Sequence, residues 1–482
     1  MANYNPKSLR AEEFINHEEI LDTLRYAEAH KHDVALIDAL LEKARPQPTA
    51  GGVHCAGLTH REASVLLACD IPEKVAEIYK LAEEIKLAFY GNRIVLFAPL
   101  YLSNYCVNGC VYCPYHLKNK HIPRKKLTQE EVAAEVVALQ DMGHKRLAIE
   151  AGEDPVNNPI EYILDCIKTI YGIRHKNGAI RRVNVNIAAT TVENYKKLHD
   201  AGIGTYILFQ ETYHKESYER LHPTGPKHNY AYHTEAMDRA MQGGIDDVGL
   251  GVLFGLELYK YEFAGLLMHA EHLEAAHGVG PHTISVPRIK RADDIDPSAF
   301  DNGIDDETFL KIIACIRIAV PYTGMIVSTR ESESVRARAL EVGISQVSGG
   351  SRTTVGGYTE EERPHDTEQF DVSDQRTLDD VVRWLMQLGF IPSFCTACYR
   401  EGRTGDRFMS LCKSGQILNC CHPNALMTLT EFLTDYATDA TKAVGFDLIE
   451  KELARIPKDK VRAIAAENIA AIKSSNRRDF RF

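Results

Sequence analysis

Eight short apolar runs alternate with helical stretches between residues 94 and 348, and this alternation limits the fold more than any other feature. Each run is followed by an amphipathic helix or a long loop, which predicts an α/β fold, a closed (β/α)8 barrel of the TIM type. The clearest helix, residues 128–142, opens with a capping box of Thr128 and Glu131. The last two runs are the weakest, so a six-strand partial barrel is the alternative. The runs are residues 94–102, 146–152, 182–188, 205–209, 248–255, 283–289, 325–329 and 344–348.

Helical periodicity also marks both flanks of the barrel. The division predicted for the 482 residues is a helical cap at 1–90, the barrel at 91–350 and a mainly helical extension at 351–482. The periodic stretches are residues 18–29, 33–44, 61–69 and 72–89 in the cap, and 378–388 and 430–473 in the extension.

Charge and apolar content exclude several classes of partner. Lysine and arginine number 56 against 67 aspartate and glutamate, so the net charge of −11 gives no bulk attraction to nucleic acid or to an anionic membrane. No apolar run approaches the ~18 residues of a membrane span, and the N-terminus lacks the form of a signal peptide. We therefore predict a cytoplasmic protein with no nucleic-acid or membrane partner. In that reducing compartment, the clustering of its 12 cysteines indicates metal binding rather than disulfides.

Three cysteines follow the first apolar run at the spacing C-x3-C-x2-C: Cys106, Cys110 and Cys113. Catalytic groups of such barrels lie at the carboxyl ends of the strands, which is where this motif falls. Three thiolates can hold an iron–sulfur cluster and leave one iron of a four-iron cluster open for chemistry. A zinc knuckle is the alternative, but structural zinc takes four protein ligands and His116 is the only near candidate for the fourth.

This cysteine spacing after a first strand resembles the radical S-adenosylmethionine (SAM) superfamily. The resemblance implies that the open iron binds the amino and carboxylate groups of SAM, and that an electron from the cluster cleaves SAM to a 5′-deoxyadenosyl radical. Tyr112 would contact the SAM adenosine. Gly152 and Glu153 belong to an Ala-Gly-Glu sequence where the superfamily commonly has Gly-Gly-Glu, whose backbone holds the SAM amino group. Arg239 lies where related enzymes have a carboxylate-binding arginine.

Other polar residues end the predicted strands. Asn186 lies on the third run, on a face that suggests a lined cavity rather than packing. Ser328 and Arg330 are two apart at the end of the seventh run, and a hydroxyl with a guanidinium fork suits the carboxylate of an amino acid. Glu211 and His214 follow the fourth run and provide groups that could accept a substrate proton. The alternative for each is a solvated loop side chain.

A second cysteine motif, C-x2-C-x22-C, lies in the extension as Cys395, Cys398 and Cys421. With His422 these thiols could complete a closed zinc site, and spacing alone leaves zinc and iron–sulfur equally open. Cys420 precedes the third thiol directly and is a possible substitute ligand.

From about residue 90 to the C-terminus the chain resembles the HydG family of tyrosine lyases, which help to build the active-site iron centre of FeFe-hydrogenase. The C-x2-C-x22-C tail separates this family from the tyrosine lyase of thiamine biosynthesis, and it favours iron–sulfur over zinc in the tail. Besides the two cysteine motifs, the segments that carry the resemblance are residues 151–153, 210–214, 280–288, 321–325 and 404–409.

The family resemblance implies two 4Fe-4S clusters at opposite ends of a full barrel. The first would start cleavage of the Cα–Cβ bond of L-tyrosine, giving p-cresol and dehydroglycine. The second would carry a fifth iron, bridged by free L-cysteine, where the glycine fragment yields carbon monoxide and cyanide. Ser328 and Arg330 would hold the tyrosine carboxylate. His272, or else His282, would bind the fifth iron.

The same resemblance implies partners, namely a hydrogenase-maturation scaffold, other radical SAM maturases, and a flavodoxin or ferredoxin as electron donor. Two other functions are alternatives. One is a thiamine-type tyrosine lyase with a structural tail cluster, and the other is a non-catalytic scaffold that delivers metal to a partner.

Overall fold

A closed barrel of eight parallel strands forms the centre of the computed structural model, which describes residues 3–49, 52–360, 367–414 and 416–482. Each strand pairs with the next along the chain, and the eighth pairs with the first. All eight predicted runs are therefore strands, the (β/α)8 prediction is confirmed, and the six-strand alternative is wrong. The strands are β1 (Arg93–Ser103), β2 (Arg146–Ala151), β3 (Arg182–Asn186), β4 (Tyr206–Ile207), β5 (Val248–Gly251), β6 (Thr283–Ser285), β7 (Gly324–Val327) and β8 (Gln346–Ser348).

Helices surround the barrel and occupy the connections between its strands. The predicted capping box is present: Glu131 N donates to Thr128 Oγ1 at 3.2 Å, and Thr128 N donates to Glu131 Oε2 at 2.8 Å. In the described ranges, no helix combines the length and the apolar character needed to cross a bilayer. The barrel helices are Gln129–Asp141, Ile160–Gly172, Val192–Asp200, Lys215–Leu221, Tyr230–Thr234, Ala236–Gln242, Tyr259–His277, Asp306–Ala319 and Glu333–Val342.

The N-terminal segment forms the predicted helical cap and packs on the barrel helices. His60 Nδ1, for example, lies 2.8 Å from Glu271 Oε2 of the helix that follows β5. Phe14 is fully buried. The cap helices are Ala11–Phe14, His17–His30, Val34–Ala44, His60–Ala68 and Pro72–Tyr90. The boundaries at residues 90 and 350 remain predictions.

The C-terminal extension is mainly helical, as predicted, but it also adds a ninth strand that the sequence analysis missed. This strand, β9 (Ile391–Ser393), pairs in parallel with Arg93–Val95 at the start of β1. Its three residues include a proline and are too few to show an alternating pattern. Cys395 follows β9 directly, so the tail cysteines lie near the start of β1 whereas Cys106 follows its end. The helices are Leu378–Gln387, Ala397–Arg400, Gly405–Lys413, Leu418–Asp435, Asp439–Ala454 and Asp459–Ser474.

Candidate active site and second cysteine site

Cys106, Cys110 and Cys113 line a cavity at the carboxyl end of the barrel. All three are free thiols, and burial raises the pKa of each, that of Cys113 to about 12. In the described part of the chain, the three sulfur atoms do not all lie within 4.8 Å of one another. Tetrahedral zinc would hold its sulfur ligands about 3.8 Å apart, so the three thiols are not arranged around a single ion.

Gly152 and Glu153 fasten the cysteine loop to the end of β2, and both line the cavity. A methyl group on Gly152 would lie only 2.3 Å from Tyr105 O, so no larger residue fits without a backbone shift. Asn158 Nδ2 donates to Gly152 O at 2.8 Å and to Tyr105 O at 3.0 Å. Glu153 Oε2 accepts from Asn108 Nδ2 at 2.6 Å. The Ala-Gly-Glu sequence thus has a packing role besides the SAM contact predicted for it.

Tyr112 lines the cavity, and its hydroxyl is hydrogen-bonded to His222. His222 Nδ1 lies 2.7 Å from Tyr218 O, and a carbonyl can only accept, so Nδ1 carries the hydrogen. Burial lowers the pKa of His222 to about 3, so the ring is neutral and its Nε2 accepts from Tyr112 at 2.7 Å. The Tyr112 ring is therefore fixed in a position from which it could stack on a ligand.

Glu211 pairs with a lysine that the sequence analysis missed. Lys227 Nζ donates to Glu211 Oε1 at 2.9 Å, and both residues line the cavity. Although burial opposes it, Glu211 and the nearby Cys110 raise the pKa of Lys227, which keeps its charge beside the thiols. Glu211 adopts φ = 68°, a left-handed conformation that is costly for a residue with a Cβ. Lys227 lies in an irregular connection, so no periodic pattern marks it.

Ser328 and Arg330 end β7 and face the same cavity. The Arg330 guanidinium lies 3.7 Å from the centre of the Phe370 ring, and Ser328 Oγ accepts from Arg330 N at 3.3 Å. The adjacent acid, Glu331, pairs with Arg288 and not with Arg330. Within the described residues, no ion pair occupies the guanidinium fork of Arg330, whose geometry suits a ligand carboxylate.

Asn186 lines the cavity beside Glu150, its partner in the pairing of β3 with β2. Burial raises the pKa of Glu150 well above its usual value, although Arg330 and a hydrogen bond with Asn186 act in the opposite direction. No chemical pattern in the sequence marked Glu150, which lies two residues before Gly152.

Arg239 is the predicted cofactor-binding residue that lies away from this cavity. Its Nε donates to Thr190 O at 3.0 Å, and its guanidinium packs 3.9 Å from the centre of the Tyr232 ring. Among the described residues it is not one of those that line the cavity. The helix Ala236–Gln242 lies outside the barrel, so its position corrects the SAM-binding prediction.

Cys395, Cys398 and Cys421 meet at the opposite end of β1. A hydrogen bond from Cys398 lowers the pKa of Cys421 to about 6 against the effect of burial, and Arg93 and Arg403 add to the lowering. Burial raises the pKa of Cys395 to about 11. The tail site therefore contains one thiol whose pKa is lowered, and its partner Cys398 has a raised pKa.

Polar side chains surround the tail cysteines at the base of the barrel. Arg146 and Arg182 begin β2 and β3 and are paired across them. Among the described residues, three buried atoms here make no hydrogen bond, namely Arg146 Nε, Asp247 Oδ2 and His282 Nδ1, although the last lies 3.4 Å from Asp247 Oδ1. Burial lowers the pKa of Arg146 to about 9, and Cys395 and Cys398 act in the opposite direction, so the guanidinium and thiols share this space. A polar cluster bound to the thiols would supply the missing partners.

The two histidines considered for the fifth iron occupy different regions. His272, the first choice, bonds Pro6 O at 2.8 Å and Asp238 Oδ1 at 2.9 Å, away from the tail. The prediction for His272 is therefore corrected, because its helix lies outside the barrel and turns the ring toward the N-terminal cap. His282 lies at the base, 3.4 Å from Asp247 Oδ1, with its ring centre 6.0 Å from that of Tyr399.

His422, the fourth ligand considered for a closed zinc site in the tail, contacts the following helix. His422 Nε2 lies 3.3 Å from Glu452 O, so the ring is engaged by the following helix. Cys420 is more exposed than the buried Cys421. Consecutive helical residues point about 100° apart, so Cys420 and Cys421 cannot face Cys398 together.

Comparison with known proteins agrees with this arrangement. Residues 100–264 match the Radical SAM superfamily, and residues 285–391 match the Biotin and Thiamin Synthesis associated domain. The superfamily implies a 4Fe-4S cluster and SAM. The chain is 28% identical to the 2-iminoacetate synthase of Escherichia coli over 342 residues, which cover 70% of this chain and 88% of that protein.

Two solved structures match nearly the whole chain. A crystal structure of HydG, a maturase of the [FeFe]-hydrogenase, shares 53% identity and a TM-score of 0.91, covering 98% of this chain and all of that one. HydG from Carboxydothermus hydrogenoformans shares 36% identity and a TM-score of 0.80, covering 95% and 99%. The chain therefore belongs to the HydG family of radical SAM enzymes.

Proposed function

We propose that this protein is a radical SAM lyase that cleaves the Cα–Cβ bond of L-tyrosine to p-cresol and dehydroglycine. The glycine fragment then yields carbon monoxide and cyanide bound to iron, for assembly of the active-site cluster of FeFe-hydrogenase. The observation that carries this proposal is the presence of two cysteine triads at opposite ends of one closed barrel. A simple lyase needs only the first.

The cavity at the carboxyl end of the barrel, the upper cavity, suits an amino-acid substrate with a free carboxylate. Arg330 and Ser328 would hold the tyrosine carboxylate through charge-assisted hydrogen bonds. When bound, the cluster on Cys106, Cys110 and Cys113 together with SAM supplies one-electron chemistry that removes a hydrogen atom from the substrate amine.

The remaining cavity residues would position SAM and handle protons. Tyr112, with its ring fixed by His222, would stack on the adenine, and Asn186, Gly152 and Glu153 would bind the polar parts of SAM. Glu211 would accept a substrate proton, with the charge of Lys227 2.9 Å away to stabilise its carboxylate.

The base of the barrel suits the second half of the reaction. Cys395, Cys398 and Cys421 would hold a second 4Fe-4S cluster, with a fifth iron bridged by free L-cysteine and bound by His282. The buried guanidinium groups of the base favour anionic ligands such as cyanide and a cysteine carboxylate. The base thus offers positive charge for these anionic ligands.

The partners that we propose come from the family resemblance. A hydrogenase maturase would deliver its product to a maturation scaffold and act beside other radical SAM maturases. A flavodoxin or ferredoxin would supply electrons. The competing function is that of a thiamine-type lyase, since the chain also resembles 2-iminoacetate synthase.

The test is an anaerobic assay of reconstituted protein with SAM, L-tyrosine and dithionite. We expect 5′-deoxyadenosine, p-cresol and carbon monoxide, the last trapped by haemoglobin. Cys395→Ala should retain p-cresol and lose carbon monoxide. Cys106→Ala should lose all three products.

The outcomes separate the alternatives. Deoxyadenosine and p-cresol from the wild type without carbon monoxide, in protein with full iron at both sites, would favour the thiamine-type lyase. No deoxyadenosine from protein with confirmed iron and sulfide would reject radical SAM chemistry. Loss of p-cresol in Cys395→Ala to the level of Cys106→Ala would contradict separate roles for the two triads.

A further inference from the structure

A carboxylate and two imidazoles meet between two barrel helices, at a distance from both cysteine triads. Asp238 lies on Ala236–Gln242, and His272 and His277 lie on Tyr259–His277. One oxygen of the aspartate and one nitrogen of each histidine all lie within 4.8 Å of one another. In the part of the chain that the structure describes, no other group of histidine, cysteine and acidic residues is this compact.

The tautomer of His272 indicates what this cluster lacks. His272 Nδ1 lies 2.8 Å from Pro6 O, and a carbonyl only accepts, so Nδ1 carries the hydrogen. Nε2 faces Asp238 Oδ1 at 2.9 Å, and in the neutral form of the ring both of these atoms would be acceptors. Two acceptors at this distance repel unless a proton or a metal cation lies between them. A backbone carbonyl on the other ring nitrogen is the usual partner of a metal-bound histidine.

Two further buried atoms beside the cluster lack partners. Asp238 is 2% exposed, and its Oδ2 makes no hydrogen bond within the described chain. The buried Nε2 of His269 is also unpaired, and the ring centre of His269 lies 6.2 Å from that of His272. A carboxylate oxygen left without a partner away from water is costly, and a bound cation removes that cost.

We propose that Asp238, His272 and His277 bind a divalent first-row transition-metal ion, for which zinc is the probe. Imidazole with carboxylate suits zinc and ferrous iron. His277 Nε2 lies 2.6 Å from the same Asp238 Oδ1, whereas ligands of a tetrahedral ion lie about 3.4 Å apart, so binding spreads the three groups by about half an ångström or somewhat more. The His277 side chain is 19% exposed, which gives the ion and a water ligand access from solvent.

Such an ion would fasten the N-terminal cap to the barrel. The Phe14 ring stacks on His272 with the ring centres 3.8 Å apart and an interplanar angle of 9°. Pro6 accepts the hydrogen bond from the other side of the same imidazole. Fixing His272 by a metal bond therefore fixes two segments of the cap, so the ion should raise the thermal stability of the protein.

The first test is on the cluster-reconstituted protein, equilibrated with zinc under anaerobic conditions and then freed of loose metal. We expect about one zinc per chain by mass spectrometry, with iron unchanged. The zinc X-ray absorption spectrum should show only nitrogen and oxygen neighbours at about 2.0–2.2 Å. Sulfur neighbours at about 2.3 Å would place the zinc in a cysteine site and overturn the proposal.

The second test compares variants that differ in this site only. His277→Gln removes a ligand near the surface and should lose the zinc and its thermal stabilisation while keeping iron and p-cresol formation. His175→Gln is the matched control, because His175 also pairs with a carboxylate, Asp141, at 3.1 Å but on the exposed surface. Equal zinc in wild type and His277→Gln would reject the site.

A variant that fails to fold leaves the wild-type spectrum as the deciding measurement. In a folded Asp238→Asn variant, zinc should also be lost, because the amide is a poor ligand for this ion. Wild-type protein that takes up no zinc at all would show that the three groups form a hydrogen-bonded ion cluster only.

Discussion

The two cysteine triads have the same number of thiols but opposite electrostatic settings. At the carboxyl end of the barrel, burial raises the pKa of all three thiols, and Lys227, the cation beside them, is paired with Glu211. At the base, a hydrogen bond from Cys398, with Arg93 and Arg403, lowers the pKa of Cys421 to about 6, while the pKa values of Cys395 and Cys398 are raised. The lower triad thus differs from the upper one in having one thiol with a lowered pKa, and the arginines beside it favour anionic ligands. This difference matches a site for radical initiation above and a site for anionic products below.

The largest expected effect comes from removing one thiol of each triad. Cys113→Ala should lose about half of the reconstituted iron and all deoxyadenosine, because two thiols cannot hold a cluster with an open iron. Cys421→Ala should lose a similar share of iron and keep deoxyadenosine formation. Iron analysis and electron paramagnetic resonance of the reduced proteins check both. If either substitution removed all the iron, the triads would not be independent.

The next effect concerns the carboxylate-binding end of the upper cavity. Arg330→Gln should lower kcat/KM for tyrosine about 100-fold, because two charge-assisted hydrogen bonds to the substrate carboxylate are lost. Both clusters should remain. Arg291→Gln, at an exposed position, is the control and should match wild type. An unchanged KM for tyrosine in Arg330→Gln would assign the carboxylate to another residue.

A smaller effect tests how the upper triad is held. Gly152→Ala brings a methyl group within 2.3 Å of Tyr105 O, so we expect a loss of about 1–3 kcal/mol in unfolding free energy. Iron should be lost from the upper site only. Gly172→Ala, which meets nothing within 4 Å at the end of a helix, should be neutral or stabilising. Chemical denaturation with iron analysis distinguishes the two variants. Equal unfolding free energy and equal iron content in both would contradict the packing role of Gly152.

The fold was predictable because the alternation of apolar runs and helices is long and regular. All eight barrel strands and four of the five cap helices lie where periodicity predicts them, whereas the short helix Ala11–Phe14 was not predicted. Strand β9 was not predictable, since three residues carry no period and the strand forms only by pairing with the distant Arg93–Val95. That pairing decides where the tail cysteines lie, so the position of the second triad depends on tertiary structure.

The candidate site was predictable where chemistry coincides with a motif or a strand end. The upper cysteines, Ser328, Arg330 and Glu211 all share one cavity. Lys227 was missed because it comes from an irregular connection. The pair Arg146 and Arg182 begins two predicted strands, a signal that could have located the polar base. Arg239 and His272 were misplaced because helices outside a barrel can turn a side chain away from it.

The smallest effect tests the charge at the lower triad directly, in iron-free protein under reducing conditions. The hydrogen bond from Cys398, with Arg93 and Arg403, lowers the pKa of Cys421 to about 6. Arg403→Gln should raise that pKa by about one unit, because one cation near the thiolate is removed. Thiolate absorbance, taken as a difference from the matching Cys421→Ser protein, measures it. Arg407→Gln, an exposed neighbour, is the control.

The same shift gives the pH dependence of the iron-free protein a definite sign. An unfolded cysteine has a pKa of about 8.5, so a folded value near 6 means that the folded state loses its proton first. The stability that the lowered pKa of Cys421 contributes is therefore lost as the pH falls through about 6, while the raised pKa of its partner Cys398 makes folding less favourable as the pH rises above about 8.5. The melting temperature of wild type minus that of Cys421→Ser, plotted against pH, should show this pH window. Arg403→Gln should move the acid limit of the window to higher pH. A difference that does not vary between these pH values would mean that the lower triad is as neutral as the upper one, and the electrostatic contrast between the two sites would fail.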